Sequence, residues 1–189
     1  MIPREQPEFF RLPPPAGRSR ESSIRLDAIG RFFHDGEPVE NLKMATAFHS
    51  WLARHPDDGR PILVNDYDWT YLAVEGPLAF VSSVRVENDR LWLTLLGGDE
   101  EPVTVLEEED GVLFAEVRAS RLGGPYRAKF LPSVQNAVGD LLNDRDSVDQ
   151  EKTGDEHNGA PESRLHLRVG RGIVPIYPVV NGSSGGAFS

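Results

Sequence analysis

Short apolar, β-prone segments separated by polar turns run through most of this sequence and limit the folds that it can adopt. Three pairs of such segments each enclose a turn, at residues 65–68, 88–89 and 107–111. The Asn, Asp and Gly residues of these turns favour tight reversals, so each pair predicts a β-hairpin. A succession of hairpins builds antiparallel sheet, and a βαβ dinucleotide-binding architecture is therefore a poor fit.

Two segments have helical periodicity instead. The first is predicted over about residues 40–55, where side chains at three- and four-residue spacing form one buried stripe: Leu42, Ala45, Phe48, His49 and Leu52. The second begins at Pro132, which suits a first helical residue, and reaches Leu142. The order of elements predicts an α+β fold of two related units, each with one helix packed on antiparallel strands.

Composition divides the chain into four regions, two of which are folded units. The two folded units are predicted to meet near residues 98–102. Proline repeats with little apolar material predict disorder at the start, and polar or glycine-rich sequence predicts exposed chain later. The regions are a disordered proline-rich head (1–22), a first unit (23–100), a second unit (101–180) with an acidic loop (144–163), and a flexible tail (181–189).

The composition excludes several classes of protein. The 189 residues contain no Cys, which rules out disulfides, Cys-ligated zinc, iron–sulfur clusters and thiol catalysis. No apolar run approaches the roughly 18 to 20 residues that a membrane helix needs. The first residues do not resemble a secretory signal, so we expect a soluble cytoplasmic protein without a cofactor.

Basic residues are concentrated late in a chain whose net charge is -10. Arg127 and Lys129 alternate with apolar residues on one predicted strand, and His166 and Arg168 do so on another, with Arg171 just beyond. If the two strands are neighbours, these cations share one face and suit a phosphate or carboxylate. The alternative is a solvated face neutralised by the acidic loop.

A small anionic ligand, with a nucleotide as the first candidate, is therefore the expected partner of this basic face. The acidic stretches 86–116 and 140–162 would repel a phosphate backbone, so duplex nucleic acid is a poor fit. His34, beside the Asp35-Gly36 turn, is either a turn residue or a further donor to the ligand.

Other chemistry has weaker signals. Asp66 and Asp68 lie on one turn with Asn65 and offer oxygen ligands of the kind that calcium or magnesium takes, although such residues are also ordinary turn formers. Neither a nucleophile elbow nor a phosphate-binding loop is present. We therefore expect no catalytic residues and no metal site.

Six short motifs between residues 24 and 178 follow one another in an order shared with a known family. They are Gly30–Val39 (strand, then aromatic–His–acid–Gly–x–Pro), Trp51–Arg54, Pro61–Asn65, Tyr71–Leu78, Gly124–Phe130 and Val169–Ile176. This succession resembles the bacterial family known as domain of unknown function 1285 (DUF1285). The proline-rich head and the acidic loop depart from its usual pattern.

The resemblance implies two repeated α/β units, the second similar to a pleckstrin-homology-like barrel. It also implies a ligand cleft where the units meet, a nucleotide-like ligand and a role in signalling, with no established activity. The first expectation is therefore a non-enzymatic ligand-binding module. The alternatives are a metal-dependent hydrolase that uses Asp66, Asp68 and a histidine, or a protein-interaction scaffold whose head is a polyproline ligand.

Overall fold

Two β-sheets and three helices make up the described part of the chain. The computed structural model describes residues 6–118, 125–143, 165–169 and 171–179. Its helices are α1 (Pro7–Phe10), α2 (Leu42–Trp51) and α3 (Pro132–Asn143). None of them is long and apolar enough to cross a membrane.

The first sheet has six strands. In chain order they are β1 (Glu21–Leu26), β2 (Phe32–His34), β3 (Glu37–Pro38), β4 (Leu52–Arg54), β5 (Pro61–Val64) and β6 (Trp69–Val74). Their order across the sheet is β3-β2-β1-β6-β5-β4. Strands β1 and β6 are parallel, and the other pairs in this sheet are antiparallel.

The second sheet has eight strands. They are β7 (Ala79–Glu87), β8 (Arg90–Leu95), β9 (Glu100–Val103), β10 (Leu106–Glu109), β11 (Val112–Val117), β12 (Tyr126–Phe130), β13 (Leu165–Val169) and β14 (Gly172–Pro178). Their order is β13-β14-β10-β11-β12-β7-β8-β9. Helix α3 contacts both β7 and β13.

The predicted α+β class is confirmed, since helices pack on mostly antiparallel sheets. The passage between the sheets falls at residues 75–78, between β6 and β7, rather than near 98–102. The hairpin of β7 and β8 therefore belongs to the second sheet, because β7 pairs with β12 in parallel. A hairpin carries no sequence signal for which sheet it joins. The duplication of the units and the likeness to a pleckstrin-homology barrel stay predictions.

The hairpin turns are built as the sequence indicates. Asn88 and Asp89 have φ of 52° and 59°, and Asp35 and Gly36 have φ of 51° and 84°. Residues with short polar side chains, or none, tolerate this left-handed region. The third turn is shorter than predicted: Glu107 to Glu109 lie in β10, and only Asp110-Gly111 reverse the chain.

Helix α2 is shorter and less buried than its periodicity predicts. It ends at Trp51, because Leu52 adopts extended backbone and begins β4, which pairs with β5. His49 is its one buried residue, and Leu42 is 81% exposed. The periodicity correctly predicts an amphipathic helix, but the rest of the protein covers only part of the apolar side of α2.

The junction of the two sheets is formed around the loop that joins β1 to β2. Gly30 has φ of 86°, and a Cβ at this position would lie 3.2 Å from the side chains of Phe80 and Leu96. Nε2 of His49 lies 3.0 Å from the Gly30 carbonyl oxygen. The two sheets thus share one hydrophobic core, with Leu26 and Phe80 among its most buried members.

The predicted disorder of the head is corrected for residues 6–18. Phe9 is only 3% exposed and packs with Ile62, Val64 and Trp69 on the first sheet. The guanidinium of Arg11 forms an ion pair of 3.0 Å with Asp57. The two aromatic rings of α1 supply enough apolar area for the segment to dock. The prediction of disorder overlooked them because it rested on the proline content. The acidic loop and the tail lie outside the described residues.

We expect acid to destabilise the fold through His49. Burial lowers the pKa of His49 from its usual 6.5 to about 4. The unfolded chain therefore takes up a proton below pH 6.5 while the folded chain does not, so stability falls as the pH drops from 6.5 to 4. At about 1.4 kcal/mol per pKa unit, the loss amounts to roughly 3 kcal/mol.

Urea unfolding of the wild type and of His49→Gln at pH 7 and pH 4.5 measures this loss. The variant should be less stable at pH 7 but should lose less stability on acidification. A His34→Gln control should behave as the wild type, since the His34 side chain is 60% exposed. Equal losses in all three proteins would contradict the assignment.

We also expect Phe9→Ala to weaken the protein by about 3 kcal/mol, the low end for a buried Phe→Ala change, because the head can detach locally. The matched control is Leu12→Ala, which removes a side chain that is 42% exposed. Thermal unfolding and limited proteolysis near residue 18 report the effect. A disordered head would give no difference between the two variants.

Candidate functional site

Arg127, the centre of the predicted basic face, is held by acidic neighbours. Its Nε donates to Oε2 of Glu107 at 2.8 Å, and its Nη1 donates to Glu109. Its guanidinium also stacks on the ring of Phe114, with Cζ 3.7 Å from the ring centre. Burial acts to lower the pKa of Arg127, but the bonds to Glu109 and Glu107 outweigh it and raise the pKa. An incoming anion would have to displace these carboxylates.

The other predicted cations are dispersed. Nζ of Lys129 donates to the Ala28 carbonyl oxygen at 3.1 Å and so ties β12 to the junction loop. The backbone N–H of Arg171 donates to the Asp89 carboxylate at 2.9 Å. His34 is exposed, with Nε2 3.7 Å from the carboxylate of Asp35. These three residues lie on different elements and are not linked by any contact among the described side chains.

His166 and Arg168 lie on β13, opposite Pro175 and Ile173 of β14. Strands β14, β10 and β11 separate β13 from β12. The neighbouring arrangement that the basic face requires is therefore not present in the hydrogen-bonded order of the sheet. Alternation on each strand is visible in sequence, but the order of strands within a sheet is not.

The Asp66 and Asp68 turn has a structural role. The Asn65 side-chain oxygen accepts from the backbone N–H groups of Tyr67 and Asp68 at 2.8 and 2.9 Å, and Asp68 is paired with Arg20. Within residues 6–118, 125–143, 165–169 and 171–179, no group of three or more His, Asp or Glu side chains could hold a metal ion. The hydrolase alternative gains no support from this turn.

A groove that sequence reasoning missed lies between the head, α2 and the first sheet. We call it the head groove; its volume is about 320 Å³, within the usual range for small-molecule sites. Its walls come from segments distant in sequence. They include Arg18 and Ser19 of the head, Ile24 of β1, Phe48 and Trp51 of α2, and Asn65 of the β5–β6 turn.

Three residues in the lining of the head groove offer hydrogen-bond donors. The guanidinium of Arg18 is exposed and has no ion-pair partner among the residues that the structure describes. The Ser19 hydroxyl accepts from the backbone N–H of Glu21 at 3.0 Å, which leaves its hydrogen to donate. Asn65 uses its oxygen within the turn, which leaves its amide N–H groups available.

The acidic residues at the head groove are already compensated. Both carboxylate oxygens of Glu21 accept from Arg60 at 2.9 Å, and this pairing lowers the pKa of Glu21. Asp68 is bound by Arg20, whose Nη1 also donates to the Trp69 carbonyl oxygen at 2.6 Å. The unpaired charge at the groove is therefore that of Arg18. No sequence pattern could have found it, because the groove exists only when the head docks.

Comparison with known proteins bears on the fold. No model of a protein family matches the chain, and no curated protein matches it. A crystal structure of a DUF1285 family protein from Silicibacter pomeroyi is similar, with a TM-score of 0.50 and 20% identity over 64% of this chain and 69% of that one. One from Shewanella baltica has a TM-score of 0.47 and 16% identity over 64% and 94%.

The two sheets and their helices form a protein of the α+β class. This chain shares the fold of the Silicibacter pomeroyi protein, which confirms the resemblance found in the sequence.

We expect Arg127→Ala to lower stability rather than anion binding. The change removes two partly exposed ion pairs, which solvent screens, and the stacking on Phe114, so about 1 kcal/mol should be lost. The control is Arg90→Ala, which removes an exposed cation elsewhere on the second sheet. Thermal unfolding with and without inorganic phosphate measures both effects. If Arg127→Ala leaves the melting temperature unchanged without phosphate but abolishes the increase that phosphate causes, the basic face is an anion-binding site after all.

Proposed function

We propose that the protein is a non-catalytic ligand-binding module of the DUF1285 family, with a signalling role in the bacterial cytoplasm. Its ligand is a small anion that carries a planar ring, of which a nucleotide is the leading example, and it binds in the head groove. The observation that carries this proposal is the composition of the groove lining, which includes both Arg18, without an ion-pair partner among the described residues, and the rings of Phe48 and Trp51.

The anionic part of the ligand is assigned to the head. Arg18, the Ser19 hydroxyl and the Asn65 amide line the groove and supply donors. A guanidinium binds phosphate or carboxylate oxygens through paired hydrogen bonds. Each such contact contributes on the order of 1 to 3 kcal/mol. Because Arg18 is exposed, salt should weaken binding.

The ring of the ligand is assigned to α2. Phe48 and Trp51 are partly buried, with ring centres 5.8 Å apart and planes tilted by 45°. Aromatic faces of this kind accept a planar ring by stacking, and the partial burial of both side chains holds their positions. Ile24 of β1 adds apolar surface to the lining. The site therefore combines apolar aromatic surface with one positive charge that has no ion-pair partner among the described residues.

The family and the signalling role rest on the resemblance in sequence and fold. The predicted cleft between the units stays a second location for the ligand, with Arg127, Lys129, His166, Arg168, Arg171 and His34 as its residues. It is the weaker candidate, since Arg127 is engaged by two glutamates.

Thermal unfolding with AMP, adenosine and inorganic phosphate tests the proposal. AMP should raise the melting temperature most, because it alone supplies both anion and ring. Arg18→Ala should weaken the effect of AMP about tenfold in apparent affinity, the size expected when one charge-assisted contact is lost. The matched control Arg90→Ala should bind AMP as the wild type does.

Two results would contradict this assignment. If AMP stabilises the protein but Arg127→Ala with Arg168→Ala abolishes the effect while Arg18→Ala retains it, the ligand lies on the second sheet. If none of the three compounds changes the melting temperature at millimolar concentration, nucleotides are not the ligand class.

A further inference from the structure

Helix α2 leaves apolar side chains on the protein surface. Leu42 and Met44, both in its first turn, are 81% and 49% exposed. Beside them lies a groove of about 510 Å³, which we call the α2 groove. Ile24, Val39, Met44 and Phe48 form its apolar part, with contributions from β1, the β3–α2 connection and α2 itself.

The polar edge of the α2 groove is acidic. Glu37 and Glu40 line it, and neither forms an ion pair with any residue in the described part of the chain. Both are exposed. His34 is the remaining titratable group in the lining, and its nearest charged partner is Asp35 at 3.7 Å. Lys43 lies on α2 but not in the lining. A partner that covers the groove should therefore present apolar side chains flanked by positive charges.

The edge of the first sheet argues against an extended partner. Strand β3 is the outermost strand at this side, has only two residues, and one of them is Pro38, which lacks a backbone N–H. A partner strand could not form a ladder here. Side-chain packing alongside α2 is the remaining mode, and an amphipathic helix laid into an apolar groove is its common form.

We propose that the α2 groove docks the apolar face of a basic amphipathic helix from another protein. Exposed apolar area of this kind marks interaction surfaces, and a methionine in its lining adapts to different partner side chains. The proposal goes beyond ligand binding. Its distinguishing residues, Glu37, Glu40 and Met44, do not line the head groove.

The probes are two synthetic 18-residue helices with the same leucine positions, one carrying lysine and the other glutamate at every polar position. Isothermal titration of the full chain should show one binding site for the Leu/Lys helix and no binding of the Leu/Glu helix. Met44→Glu should weaken the Leu/Lys helix at least tenfold. Glu37→Lys with Glu40→Lys should weaken it similarly and allow the Leu/Glu helix to bind.

The matched control is Val86→Glu, which introduces the same charge at a valine that is 47% exposed on the second sheet. It should bind the Leu/Lys helix as the wild type does, and this separates the groove from general attraction to an acidic protein. Met44→Glu changes an exposed position, so its melting temperature should match that of the wild type.

Three outcomes would overturn the proposal. Equal binding by Met44→Glu and Val86→Glu would place the helix elsewhere. No binding by the wild type at millimolar peptide would reject a helical partner. Concentration-dependent dimerisation in sedimentation velocity that Met44→Glu abolishes would assign the groove to a second copy of this chain. Loss of AMP binding in Arg18→Ala tests the head groove separately, so failure of one proposal leaves the other intact.

Discussion

The packing of Gly30 against Phe80 is the contact on which the rest of the structure depends. The junction loop can approach the second sheet this closely because Gly30 lacks a Cβ and adopts a φ of 86°. Asp27, buried at the start of the loop, accepts backbone N–H groups from Ile29 and Arg31 at 3.0 and 2.8 Å. Burial raises the pKa of Asp27, but these bonds outweigh it and lower the pKa. Asp27 thus holds the backbone of the loop where the two sheets share their core.

Local signals in the sequence predicted the hairpins well and the arrangement of the sheets poorly. Turns such as Asn88-Asp89 are encoded by residues that tolerate positive φ, which is a property of the residues themselves. The parallel pairing of β7 with β12 joins segments far apart in the chain, and nothing local specifies it. The docking of Phe9 was missed for a related reason, since its partners Ile62 and Trp69 lie more than fifty residues away.

Of the candidate site, the sequence predicted only the features that lie within a single strand. Arg127 and Lys129 do alternate along β12, but the glutamates that bind Arg127 come from β10, two strands away. A count of charges along the chain assigns those glutamates to a turn and misses the pairing. Arg18 shows the opposite case: it lies in a segment whose composition predicts disorder, yet it borders a groove that three distant segments enclose.

Arg20 joins the head to the first sheet. Its guanidinium donates to the carbonyl oxygens of Leu12 and Pro13 at 3.1 and 3.2 Å, and it also holds Asp68 and stacks on Trp69. Arg18 and Ser19 can form a wall of the head groove only while these contacts of Arg20 keep the head docked. Occupancy of the groove and closure of the head are therefore reciprocally linked, since whatever favours one favours the other by the same free energy. Displacement of the head from the first sheet would therefore release a ligand from the groove even if α2 and the first sheet kept their positions.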